Sequence, residues 1–422
     1  MAIAPGQSRA ANLRTLYSFC ALLPNCADGG HPDTALLADA NGNLFGTTFT
    51  GGTNGYGTVF EIAKTDGGYA TTPTNLVNFN FADGANPAGT LIADANGNLF
   101  GTTVNGGANN AFGNGGGTVF EIAKTRSGYA TTPTTLVSFC ALPNCADGLN
   151  PGAALILDAD GNLFGTTIEG GANAVNPGGT VFEIAKTYRG YATAPTTLVS
   201  FCALSNCADG SSPQAALILD ANGNLFGTTF AGGTNGYGTM FEIAKTNRGY
   251  ATTPTILVSF NVADGDQPRA ALIADANGNL FGTTALGGAN LEGTVFEITE
   301  SGFVVPPNSL ARRESRTASA RAFRRWPGNT VGSITRLQPS GILACRHCKR
   351  RSWSIAKDSR GECPDRVEPP RSRAGPGRSG VGATSPLTSV SAIVSFLNPQ
   401  PSVNPVAGNR SSCPTPDLRP DG

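Results

Sequence analysis

The chain has 422 residues and a formal net charge of zero, and that balance hides a split. Residues 1–302 carry 10 Lys and Arg against 22 Asp and Glu, a net of −12, while residues 303–422 carry 19 against 7, a net of +12. With 56 glycines and only 14 % charged residues, the composition suits an all-β protein with many turns rather than a helical one. No apolar run approaches the ~18–20 residues of a membrane helix, and an acidic first part has the wrong sign for nucleic acid.

The opening residues, "MAIAPGQSRAANLRTLYSF", lack the continuous apolar core of a signal peptide. Export by another route, or a start further upstream, is the expectation. "LRTLYSF" at 13–19 then reads as a strand of a type that recurs, called D below. Five times the chain next writes an apolar run, a tight turn and a second strand, as in "DANGNLFGTT" at 39–48, 94–103, 220–229 and 275–284, and "DADGNLFGTT" at 158–167. The run before the turn is strand A. Its apolar residues fall on both faces ("ALLADA", "ALILDA"), which demands burial on both sides. Asn-Gly is a hairpin signal because both central positions need φ > 0, and Asp39 with its equivalents is expected to accept the turn amides. "NLFGTT" is strand B, and the Gly inside it (Gly46, Gly101, Gly165, Gly227, Gly282) marks close approach of a neighbour or a bulge. A Gly-rich loop leads to strand C, "GTVFEI" or "GTMFEI". A link such as "AKTYRGYATAPT" leads to strand D, "TLVSF".

Four antiparallel strands in roughly 55–64 residues indicate a β-propeller blade. The first D precedes the first A, and the last C, "GTVFEI" at 293–298, has no D after it. The expected fold is therefore a five-bladed β-propeller over residues 1–310, with the N-terminal strand closing the last blade and removing free edges. A stacked solenoid is the alternative. At residue 311 the chain becomes Arg-, Pro- and Ser-rich without a period, so 311–422 is expected to be a disordered tail or the product of a foreign reading frame. "CRHC" there lacks the second pair of a zinc site.

Six cysteines form three close pairs between strands D and A: Cys20/Cys26, Cys140/Cys145 and Cys202/Cys207. The equivalent loops "FNFADG" and "FNVADG" lack both cysteines and are shorter. Cysteines that come and go together with an insertion read as disulfides, each worth ~2–3 kcal/mol in the chain-entropy model. An oxidising compartment, secreted or cell-surface, follows; six reduced thiols are the alternative.

In a propeller the D–A and B–C connections share one face. All the length variation falls there, so that face is taken as functional. Each unit presents Asp-Gly on it: Asp28, Asp83, Asp147, Asp209 and Asp264. These carboxylates form a candidate ring for a cation or sugar hydroxyls, against the plainer reading of five Asp-Gly turns. His31, Glu169, Tyr56 and Tyr237 break the repetition and join the candidates; Asp266, Arg269 and Glu292 also break it. No cofactor is expected; calcium is an alternative that would need more oxygen ligands than one turn supplies, and the metal content stays open. The repeated Glu61, Glu121, Glu183, Glu242 and Glu297 read as structural, whereas a glycosidase needs two dissimilar carboxylates. No nucleophile motif accompanies His31, the one His before the tail.

The unit "DANGNLFGTT…GG…GTVFEI…LVSF…DG" resembles the GloVer tandem repeat of bacterial choice-of-anchor proteins over about 13–310, and "GNLFGTT" is similar to a strand of sensor-type propeller repeats. The resemblance implies a secreted or cell-surface protein held by a C-terminal anchor, with no established activity and hence no catalytic residues to carry over. The tail departs from it, showing no sortase motif and no hydrophobic anchor helix. The expectation is a monomeric, non-catalytic extracellular module for a polysaccharide or other cell-envelope ligand. A carbohydrate-active enzyme or a passive adhesion scaffold are the alternatives, and loss of turnover on changing an unrepeated acid such as Glu169 would favour the enzyme.

Overall fold

In the computed structural model, residues 12–109, 113–173 and 178–306 are described, and all of them fall in one compact unit. Two B–C insertions (110–112 and 174–177) and the tail expected to be disordered, 311–422, lie outside the described residues.

The first four repeats each fold as one antiparallel sheet in the order A–B–C–D. In sheet 1 these strands are Leu37–Ala38, Leu44–Thr48, Thr58–Ile62 and Thr74–Asn78. In sheet 2 they are Ile92–Ala93, Leu99–Asn105, Thr118–Ile122 and Thr134–Ser138, with Ala85–Pro87 added beside B. Sheet 3 has Ile156–Leu157, Leu163–Thr167, Thr180–Ile184 and Thr196–Ser200. Sheet 4 has Ile218–Leu219, Leu225–Thr229, Thr239–Ile243 and Thr255–Ser259. Sheet 5 has A (Ile273–Ala274), B (Leu280–Leu286) and C (Thr294–Ile298), with Asp266–Pro268 beside B, and no D among the described residues.

The expected closure by the N-terminal strand is not made. Residues 13–19 are in no strand, and Thr294–Ile298 pairs only with Leu280–Leu286 among the described residues. Strand A is also shorter than its apolar run, pairing over two residues only. The rest of that run is held by side-chain packing, as burial on both faces requires. Leu155 and Leu157 pack with the cluster shared by sheets 2 and 3, while Ile156 packs with the cluster shared by sheets 3 and 4. Four such clusters join sheet 1 to 2, 2 to 3, 3 to 4 and 4 to 5. Each contains a pair of phenylalanine rings set at 57–65° to one another, from the end of D and the middle of the next C: Phe79 on Phe120, Phe139 on Phe182, Phe201 on Phe241 and Phe260 on Phe296.

The strand B glycines are explained by that C-strand ring. A Cβ placed on Gly165 would lie 2.6 Å from Phe182 Cζ and 2.9 Å from Leu155 Cδ2, closer than packed carbon atoms approach. The C–D link is not a plain turn but a two-residue ribbon, for example Lys186–Thr187 against Gly190–Tyr191.

Candidate functional site

The A–B turns behave alike in all five repeats. Asp39 Oδ1 accepts the amides of Asn41 and Asn43, and Oδ2 accepts Asn43 Nδ2. Asp94, Asp158, Asp220 and Asp275 accept the same bonds from residues two and four further on. These carboxylates hold a turn, as Asp does in Asx-turns. Close to them, Lys124 of sheet 2 pairs with Asp39 of sheet 1 at 4.0 Å, and Lys186 of sheet 3 with Asp94 of sheet 2 at 3.7 Å. The "FEI" glutamates border these pairs. Burial pushes the carboxyls of Glu61, Glu121, Glu183 and Glu242 above their usual range, with the neighbouring Asp adding to the rise.

At the other end of each sheet, the D–A and B–C loops bind each other. The carbonyls of Cys26, Cys145 and Cys207 accept the amides of Gly52, Gly171 and Gly233, each at 2.9 Å. In the repeats without cysteines, Phe81 and Val262 replace them. The three disulfides Cys20–Cys26, Cys140–Cys145 and Cys202–Cys207 are closed as the spacing implies. In this way a covalently braced loop is tied to the most variable loop of the same repeat.

Inside the braced loops the Asp-Gly aspartates are buried, and their oxygens face the loop itself. Asp28 accepts from Ala21, Leu22 and the Tyr17 hydroxyl; Asp147 from Ala141 and Leu142; Asp209 from Ala203 and Leu204. Although burial pushes Asp28 upward, the Tyr17 hydroxyl and the amides outweigh it and hold the carboxyl below its usual range. Asp83 and Asp264, in the short loops, cap Asn80 and Asn261 and are more exposed. His31 is exposed, with Nδ1 2.8 Å from Thr50 Oγ1. Glu169 is exposed and tied through its main chain to Leu149. Tyr56 lies against Phe81 with ring centroids 5.4 Å apart, and Tyr237 packs into the cluster between sheets 4 and 5. No hydrogen bond or ring contact joins any two of these nine side chains, and no group of three or more His, Cys, Asp or Glu gathers among the described residues.

Two features escaped the sequence reading. Asn54, Asn109, Asn173 and Asn235 reach from the B–C loop to the carbonyls at the end of strand D. Paired hydroxyls (Thr48/Thr58, Thr103/Thr118, Thr167/Thr180, Thr229/Thr239 and Thr284/Thr294) cross-link strands B and C at 2.8–2.9 Å. The second Thr of "GTT", repeated without exception, was the available signal. Between the first disulfide loop and the first B–C loop lies a cavity of about 320 Å³ lined by Asn25, Cys26, Gly51, Thr53, Asn54 and Gly55.

A model of the Gloeobacter/Verrucomicrobia repeat matches residues 8–203 and again 114–306. The chain belongs to that family. No curated protein matches it. Among solved structures, a putative gluconolactonase is similar at 16 % identity, over 67 % of this chain and 81 % of that one, with a TM-score of 0.38. A protein of unknown function from Dyadobacter fermentans DSM 18053 is similar at 10 % identity, over 63 % and 78 %, with a TM-score of 0.41. A luciferin-regenerating enzyme is similar at 14 % identity, over 65 % and 80 %, with a TM-score of 0.37. No helix among the described residues is long and apolar enough to cross a membrane.

Proposed function

We propose that this Gloeobacter/Verrucomicrobia repeat protein is a propeller-type, extracellular or cell-surface binding module, and that its D–A/B–C face takes a glycan or other cell-envelope ligand. The observation that carries this is the division of labour between the two ends of each sheet. At the A–B end the repeated aspartates are committed to turns. At the other end, variable loops are braced by disulfides and by inter-loop hydrogen bonds, which gives the rigid, sequence-variable surface that recognition uses. The cavity beside Cys26 has uncharged polar lining groups in Asn25, Thr53 and Asn54, the chemistry that exchanges hydrogen bonds with sugar hydroxyls. Three disulfides favour the oxidising exterior. The aspartates Asp28, Asp147 and Asp209 support this surface by folding its loops; ligand contacts fall to residues such as Asn25 and Thr53.

The test is a polysaccharide array probed with the oxidised full-length protein, with and without calcium. Saturable binding that Thr53→Trp weakens by about tenfold or more, through filling the cavity, is the expected result. A blank array from folded protein overturns the glycan reading.

A further inference from the structure

The five repeats leave one interface unmade, and both halves of it are exposed. Val59, Val119, Val181 and Met240, in the middle of strand C of sheets 1 to 4, are 0 % exposed, while Val295 at the same place in sheet 5 is 82 % exposed. On the opposite side, Leu91, Leu155, Leu217 and Leu272 are at most 3 % exposed, while their sheet 1 counterpart Leu36 is 40 % exposed. The first group faces the following sheet and the second faces the preceding one. Sheet 5 thus presents the forward half of a joint the chain builds four times, and sheet 1 presents the backward half. In this structure the two do not meet.

The missing strand of sheet 5 is also present, in the wrong place to serve its own chain. Phe19 packs on Phe60 with centroids 4.8 Å apart, the same contact that the last residue of each D strand makes with the next sheet. Residues 14–18 therefore sit on sheet 1 where the D strand of a preceding sheet belongs. In sheets 1 to 4 the residue ending D donates its amide to the Gly that opens C, as Phe79 does to Gly57 and Phe260 to Gly238. Neither Phe19 N nor Gly293 O makes that bond among the described residues.

We propose that sheet 5 of one copy of this chain is completed by residues 14–18 of a second copy, which brings sheet 5 of the first against sheet 1 of the second. By the register of sheets 1 to 4, Ser18 would oppose Thr294, Tyr17 Val295, Thr15 Phe296 and Arg14 Glu297. Main-chain bonds of an added strand give affinity, and the side-chain pattern gives specificity. Charge agrees with this partner. Arg14 stands where the internal D strands have Thr, opposite the sheet 5 glutamate. Among the described residues Lys64 of sheet 1 and Lys245 of sheet 4 have no carboxylate partner, while Lys124 and Lys186 pair with the turn Asp of the preceding sheet; across the new joint the Asp at that position for Lys64 is Asp275. The contact is head-to-tail, so it continues from copy to copy or closes into a ring of copies.

The experiment mixes two variants of the full-length, oxidised protein, Arg14→Cys and Glu297→Cys. Both side chains are exposed in the single chain, so neither change disturbs its packing. The expected result is a disulfide-linked dimer that yields the joined peptide 14–297 by mass spectrometry, a readout that the four tail cysteines cannot mimic. Light scattering of the unaltered protein gives a mass above the monomer that rises with concentration. Val295→Asp, at a position solvated in the lone chain, returns the monomer by weakening association ~30-fold or more, since it puts a charge into an apolar joint. Two results overturn the proposal. One is a monomer at every concentration in which a double variant links 14 to 297 within one chain, meaning that the chain closes on itself. The other is the absence of any 14–297 link, with Val295→Asp leaving the mass unchanged, meaning that the face is covered by another segment or stays open.

Discussion

Replacing Asp147 by Ala separates a loop-folding carboxylate from a ligand-binding one. Asp147 is buried and accepts the amides of Ala141 at 3.0 Å and Leu142 at 3.1 Å. A hydrogen bond to a charged group contributes about 1.5–3 kcal/mol, and an abandoned donor inside the loop has nothing to replace it. Removing both acceptors at once is therefore expected to cost about 3 kcal/mol, roughly a hundredfold in the unfolding constant. Asp264 is the internal control. It caps a short loop without a disulfide and is exposed, with water at hand for Asn261, so Asp264→Ala is expected to cost less than ~1 kcal/mol. The assay is urea unfolding of the oxidised protein with both variants in parallel, together with amide hydrogen exchange at residues 141 and 142. Asp147→Ala should lower the midpoint and speed exchange at those two amides, with little change for Asp264→Ala. Equal, small effects on stability, with exchange at 141 and 142 unchanged, would refute the view that this carboxylate is committed to its own loop.

Gly165→Ala is expected to destabilise by about 1–3 kcal/mol, because the new methyl meets Phe182 and Leu155; recovery of the thermal midpoint in Gly165→Ala/Phe182→Leu, relative to Phe182→Leu alone, checks that the ring is the cause. Glu121→Gln carries a pH signature. Burial, its largest influence, raises the folded-state pKa of this carboxyl, so the wild-type chain loses stability as pH rises from the ordinary carboxylate value through the raised one. The Gln variant should therefore be the more stable of the two above that window and lose its advantage below it, as thermal unfolding from pH 3 to 8 would show; an advantage independent of pH would rule out the titration.

The period, the strand order and the disulfide pairs were legible in the sequence because they are local and repeated five or three times over. An Asn-Gly turn, an alternation within a strand or a cysteine pair five apart depends on neighbours along the chain, and five copies make a chance reading improbable. The turn role of Asp39 and its equivalents followed for the same reason. Strand A was overextended because an apolar run reports burial, and side chains such as Leu155 and Ile156 are buried between sheets without main-chain pairing. The hydroxyl pair of Thr167 and Thr180, and the reach of Asn173 to strand D, are contacts 13 and 28 residues apart; a repeated letter shows that such a residue matters and not what it touches.

The choice between the carboxylate ring and five private loop caps lay beyond the sequence. Asp-Gly at the same place in five repeats is compatible with oxygens that converge on an axis or turn back into their loops. In the packed D–A loops the Asp147 oxygens accept the amides of Ala141 and Leu142, inside their own loop. The sequence likewise writes a D-type segment, residues 13–19, ahead of the first repeat and leaves the last C, residues 293–298, without one. Whether they meet depends on the relation between sheets 1 and 5, the accumulated result of four successive packings. No single repeat encodes that sum, and the tertiary structure leaves Val295 and Leu36 uncovered.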